Sequence, residues 1–109
     1  MYLYVLKWDI NPRRSDAYDD WAQKAIKRSI EVPGVLEVRA FRPMAGESQV
    51  VVTFEFEDFD SWSLWFNDDH IQQVFNELFA MAANVNRELW EPSPLIPEPI
   101  NLTGHSPEA

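Results

Sequence analysis

The chain has 109 residues, one domain's worth, and holds 5 Trp, 7 Phe and 3 Tyr but no Cys. Without thiols, a disulfide framework, thiolate catalysis and cysteine-type zinc sites are all excluded. The net charge of −9 is lopsided, with Arg87 the lone basic residue against twelve acids in residues 45–109, so there is no basic stripe to meet a nucleic acid.

Tyr2 to Ile10 is rich in Tyr, Val, Leu and Trp and stops at Asn11-Pro12, which predicts a strand. Its two faces, Tyr2, Tyr4, Leu6 and Trp8 against Leu3, Val5 and Lys7, are both largely apolar, so both are expected to be covered. This apolar start is too short to span a bilayer and lacks a basic lead and a small-residue cleavage site. With the absence of cysteine, that points to a cytoplasmic protein. Ser15 or Asp16 then offers a helix cap. Tyr18, Trp21, Ala22, Ala25, Ile26, Ser29 and Ile30 recur with the spacing of one helical stripe. Asp20 and Lys24 sit four apart on the wet side in the favourable order. Val32-Pro33-Gly34 ends the helix.

Val35–Arg42 and Gln49–Glu57 are the next strands, joined by a loop containing Gly46. In the second, Val50, Val52, Phe54 and Phe56 alternate with Val51, Thr53, Glu55 and Glu57. Asp58 or Asp60 opens a helical region with Phe59, Trp62 and Phe66 as its buried stripe. Asp68-Asp69 interrupts it, and Ile71, Val74, Phe75, Leu78 and Phe79 form the apolar face of a second segment. Asn84–Glu91 reads as a last strand. This order predicts an α+β, ferredoxin-like βαββαβ domain over residues 1–91: a four-stranded antiparallel sheet with its helices on one face. The opposite sheet face is left bare although it carries apolar side chains, each costing about 25 cal/mol per Å² in water. A second copy is the simplest cover, so a homodimer is expected.

Residues 92–109 change character, holding five of the 8 prolines. Such a segment forms neither helix nor central strand. Leu95 to Leu102 is apolar enough for an arm lying across a partner subunit, the other reading being an unstructured tail, which suits Thr103 to Ala109 better.

The stretches VPGVLEVRAFRP, VVVTFEFED and DSWSLWFNDDHIQQVFNELF resemble the dimeric α/β-barrel superfamily, and within it the antibiotic-biosynthesis-monooxygenase-type domains. The resemblance covers roughly residues 1–90 and lies in spacing and hydrophobic pattern. It implies sheets paired into a barrel across a dimer axis, with a pocket between each sheet and its helices for a small hydrophobic ligand. Some relatives are cofactor-free oxygenases of polycyclic aromatic substrates, which implies no cofactor here; others are haem-degrading oxygenases, lactone isomerases or proteins of no established activity. Trp65 matches a helix tryptophan of the haem-degrading branch. That branch's haem-ligating histidine would fall at Phe75 and its strand asparagine near Lys7 or Trp8, so haem degradation is not expected. His70 stands where many relatives carry a histidine.

His70 has the chemistry for proton transfer near neutral pH, or else simply touches Asp68 or Asp69 at a helix start. Trp65 is either pocket wall, dimer contact or core. Lys7, Arg39, Arg87 and Glu55 lie within strands and must pair where buried, the other reading being that Arg39 or Arg87 holds an anionic ligand oxygen. Asn84 and Asn86 offer hydrogen bonds near strand ends. One usable His and no recognised His/carboxylate spacing give no metal site. The reading is therefore a small-molecule, monooxygenase-like enzyme. Tyr4, Trp8, Phe54, Trp62 and Trp65 would line its pocket, with His70 and Arg39 as catalytic participants. The alternative is a non-catalytic homodimeric binding or interaction module of the same fold.

Overall fold

The computed structural model describes residues 1–102. Its elements are β1 (Tyr2–Ile10), a 3₁₀ turn (Pro12–Arg14), α1 (Ser15–Glu31), β2 (Val35–Phe41), β3 (Val50–Phe56), α2 (Phe59–Phe66), α3 (Asp69–Met81) and β4 (Ala82–Trp90). All strand pairs are antiparallel in the order β2-β3-β1-β4, the expected ferredoxin-like sheet. Tyr4 pairs with Phe54 and Leu6 with Val52 across β1 and β3. That register stacks both apolar alternations on the face the helices cover, and these four residues are buried together with Phe56, Phe75 and Leu78.

The helix ends follow local chemistry, with one departure from expectation. Neither Ser15 nor Asp16 caps α1. Asn11 does the capping one turn earlier, its side chain accepting from the Arg13 N–H at 3.0 Å, because Pro12 starts a 3₁₀ turn that runs straight into the helix. Asp58 caps α2 through the Ser61 N–H at 2.8 Å, and Asp68 caps α3 through the His70 N–H at 2.8 Å. The Asp20–Lys24 pair on α1 closes at 3.0 Å.

The phase of α2 differs from the predicted one. Trp65 is the core residue, 1% exposed, while Phe59 is 50% exposed and Trp62 and Phe66 are half-buried. Two features distant in sequence turn the helix. The Trp65 indole N–H donates to the Ser29 carbonyl at 2.9 Å. Gly34, at φ +124°, brings the chain so close that an added Cβ would lie 3.3 Å from the Ser61 carbonyl oxygen and 3.6 Å from the Trp65 Cβ.

The outer sheet face carries no helix. Val5 and Thr53 are buried there between longer neighbours. Its charges find partners within the chain: Lys7 meets Glu88 at 3.7 Å and lies over the Trp90 ring, and Arg39 pairs with Glu37 two residues away on the same strand. Arg87 instead turns to the helix side, its guanidinium 5.2 Å from the Phe79 ring centre. Beyond β4, residues 92–102 form no helix or strand, and Leu95, Ile96, Ile100 and Leu102 are exposed. His105 and the rest of Thr103–Ala109 lie outside the described residues.

Candidate active site

A cavity of about 800 Å³ lies between α1, the end of the β2–β3 hairpin and the helix-facing side of the sheet. Its origin is in the size of the side chains. The α1 stripe presents Ala22, Ala25 and Ser29 toward the sheet, and these are too short to fill the gap above Leu6, Val52 and Phe54. Trp8, Tyr18 and Trp21 wall one side, and Phe75 and Leu78 of α3 close the back. The lining is mainly apolar, as in most small-molecule sites.

The polar groups inside are few and mostly committed. The Trp8 indole N–H donates to the Tyr18 hydroxyl oxygen at 2.9 Å, both residues being buried. The Ser29 hydroxyl donates to the Ala25 carbonyl at 2.8 Å. The Trp21 indole N–H leaves the cavity wall to reach Glu77 at 2.9 Å, and Glu77 also receives the Arg28 guanidinium in a fork at 2.7 and 3.1 Å, tying α1 to α3. Burial pushes the Tyr18 phenol above its ordinary pKa, only partly opposed by the Trp8 hydrogen bond, so the group is a neutral hydroxyl at neutral pH. Arg42 and Glu47 belong to the exposed mouth. Gln49 fixes that mouth: its N–H donates to the Trp8 carbonyl at 3.1 Å and its side-chain oxygen accepts from the Ile10 N–H at 2.8 Å.

Of the residues picked out from the sequence, the cavity brings together Trp8 and Phe54. Trp65, Tyr4 and Trp62 stand in an aromatic cluster behind it. Trp65 packs on Phe54 with ring centres 5.1 Å apart, Tyr4 meets Trp65 at 6.1 Å, and Trp62 stacks on Phe66 at 5.0 Å. The Tyr4 phenol is held above its usual pKa by burial, with Arg87 pulling the other way. His70 and Arg39 do not join the cavity. The Asp68 cap sets the first turn of α3 so that the His70 side chain is 82% exposed, with Nδ1 3.4 Å from Asp68. Arg39 alternates onto the outer face opposite Thr53. Asn84 and Asn86 border a separate polar hollow on that face with Lys7 and Asp9. There the Asp9 carboxylate accepts from Asn84 Nδ2 at 2.9 Å, and Asn84 holds a left-handed backbone at φ 54°. No group of three or more metal-ligating side chains occurs among the described residues.

Tyr18 and Trp21 are the site residues the sequence reading assigned only to a core stripe. The signal for a hollow was present in the same stripe, where Ala22, Ala25 and Ser29 face the large residues of β1 and β3.

The chain is thus an α+β domain with an antiparallel ferredoxin-like sheet and an apolar cavity under its first helix. The family model for antibiotic biosynthesis monooxygenase matches residues 1–77, and the chain belongs to that family. Solved structures agree on the fold. SnoaB, a cofactor-independent oxygenase from Streptomyces nogalater, superposes with a TM-score of 0.70 at 12% identity, covering 89% of this chain and 97% of its own. An antibiotic biosynthesis monooxygenase homologue from Nitrosomonas europaea gives 0.66 at 11% identity, covering 83% and 96%. A Dabb family protein from Mesorhizobium loti gives 0.75 at 11% identity, covering 84% and 96%. No curated protein matches the chain.

Proposed function

We propose that the chain is a cofactor-free, monooxygenase-type enzyme of the cytoplasm that takes a small hydrophobic or aromatic substrate into the cavity under α1. The observation that carries this reading is the cavity itself. It is large, walled by Trp8, Trp21, Phe54 and Phe75, and holds the uncommitted proton of the buried Tyr18 hydroxyl. In a reaction of this kind the protein shapes the substrate, keeps water away and holds a proton at a fixed oxygen. Trp8 and Phe54 act as walls, while Tyr4, Trp62 and Trp65 support them from behind. His70 and Arg39 would reach a substrate only through a second chain or a movement of their elements.

We also propose a homodimer through the outer sheet face. Half-buried Leu3 and Val51 and the 46% exposed Trp90 accompany ion-paired charges there, a composition suited to burial against a copy.

Native mass spectrometry and oxygen uptake together test the enzyme reading. The expected result is a small-molecule adduct on the native protein that vanishes on denaturation, and oxygen consumption with electron-rich phenols. Ala25→Phe, which fills the cavity, should abolish both while circular dichroism stays native. Activity undiminished in Ala25→Phe would place the chemistry elsewhere. Binding without oxygen uptake would favour the non-catalytic module, a reading supported by the lack of any histidine among the described lining residues.

A further inference from the structure

We infer that the Tyr18 hydroxyl is the specificity-determining hydrogen-bond donor of the cavity, and that it selects uncharged ligands presenting a carbonyl oxygen over their hydrocarbon analogues. This rests on the cavity being the ligand site.

The Trp8 indole N–H, 2.9 Å away, occupies the acceptor side of the Tyr18 oxygen, and no acceptor for the phenolic proton is found among the described residues. Trp8 lies on β1 and Tyr18 in the first turns of α1, so the bond links two elements and fixes where the hydroxyl stands. The other donors deep in the lining are spent, the Ser29 hydroxyl on Ala25 and the Trp21 indole on Glu77, while Arg42, Ser48 and Gln49 stand at the wetter mouth. A buried donor left unpaired costs more than a made hydrogen bond returns, so an occupant is favoured if it supplies an acceptor at that point. A carbonyl oxygen does so without bringing a donor of its own that would then need a partner.

Charge and shape narrow the class further. Among the described residues no charged side chain lies inside the cavity; Arg42 and Glu47, of opposite sign, stand at the exposed mouth. An ionised ligand would lose its hydration with no counter-charge to replace it. The rings of Tyr18 and Trp21 stand 6.1 Å apart at 49°, with Phe54 and Phe75 also in the lining, which suits a planar hydrophobic body. Burial keeps the phenol protonated, so the donor is present throughout the neutral range.

The test compares two probes of nearly equal shape, 1-tetralone and tetralin, by equilibrium dialysis against wild type, Tyr18→Phe and Trp8→Phe. Wild type is expected to hold the ketone about three- to tenfold more tightly than the hydrocarbon. The preference should vanish in Tyr18→Phe and fall in Trp8→Phe, which keeps the hydroxyl but removes its anchor. The infrared carbonyl band of 1-tetralone bound to wild type should lie below its position in hexane, a readout that a merely structural tyrosine does not move. Equal affinity for the two probes, or an unshifted band, overturns the assignment and leaves the cavity reading standing. Failure of both probes to bind overturns the cavity reading and this inference with it.

Discussion

At the scale of single residues, Trp65 and Trp62 show how one helix uses two tryptophans differently. Trp65 is sealed among Phe54, Phe56 and Phe75, and its N–H has an acceptor in Ser29. Trp65→Ala is expected to cost about 3–5 kcal/mol in urea unfolding, the range for an emptied aromatic site. Trp62 is the opposite case, since its buried indole nitrogen has no partner among the described residues. Trp62→Phe removes that unpaired donor and keeps most of the stacking on Phe66, so it should leave stability unchanged or raise it by up to about 1 kcal/mol. A loss above about 2 kcal/mol in the same assay would mean that the indole nitrogen is satisfied after all. Gly34→Ala should destabilise, both through the positive φ and through the 3.3 Å approach to the Ser61 carbonyl.

Among the elements, α1 is the one held away from the sheet, and its tie to α3 through Arg28, Trp21 and Glu77 carries more weight for that reason. The Arg28 guanidinium, and next the Trp21 N–H, hold the Glu77 carboxyl below the usual glutamate pKa. A depressed folded-state pKa stabilises the protein above the unfolded-state pKa, and that gain disappears as pH falls through the lowered value. Glu77→Gln is thus expected to cost roughly 1 kcal/mol at neutral pH, with screening already allowed for since both side chains are about a third exposed. The gap between variant and wild type should close in urea titrations as pH falls below the usual glutamate range; a gap independent of pH would refute the pairing. The strands and the Asp68-Asp69 break were legible because alternation and capping are local. The rotation of α2 was not, because Phe59, Trp62, Trp65 and Phe66 fit two apolar faces equally, and Ser29 and Gly34 decide between them from far along the chain. The hollow under α1 also escaped a reading by stripe alone, since periodicity marks which face turns inward and says nothing of how far the helix stands from the sheet.

For the whole molecule, the outer sheet face and the arm from Leu95 to Leu102 are where a second chain would be gained or lost. Val51 sits opposite Lys7 and Phe41 on that face. With wild type sedimenting as a dimer, Val51→Asp should yield monomer or insoluble protein, because a carboxylate would have to be buried in the contact. Removing residues 92–109 should weaken the dimer if the arm reaches across it. A monomeric wild type would end the proposal for both.

The strand order has one more effect, on how the sheet is prevented from growing. With β2 and β4 outermost, each exposes a row of backbone donors and acceptors, the kind of edge that another chain can extend into a fibre. β2 sets Glu37 and Arg39 along its rim, and β4 carries Arg87 and Glu88 together with a bulge at Asn84 and Val85, two residues set against Trp8 of β1, where Asn84 turns left-handed. Charged side chains and a bulged, twisted border are poor templates for strand addition. Open-ended polymerisation is thereby disfavoured at both borders, which leaves the flat of the sheet for the proposed pairing, a contact that would close after two copies.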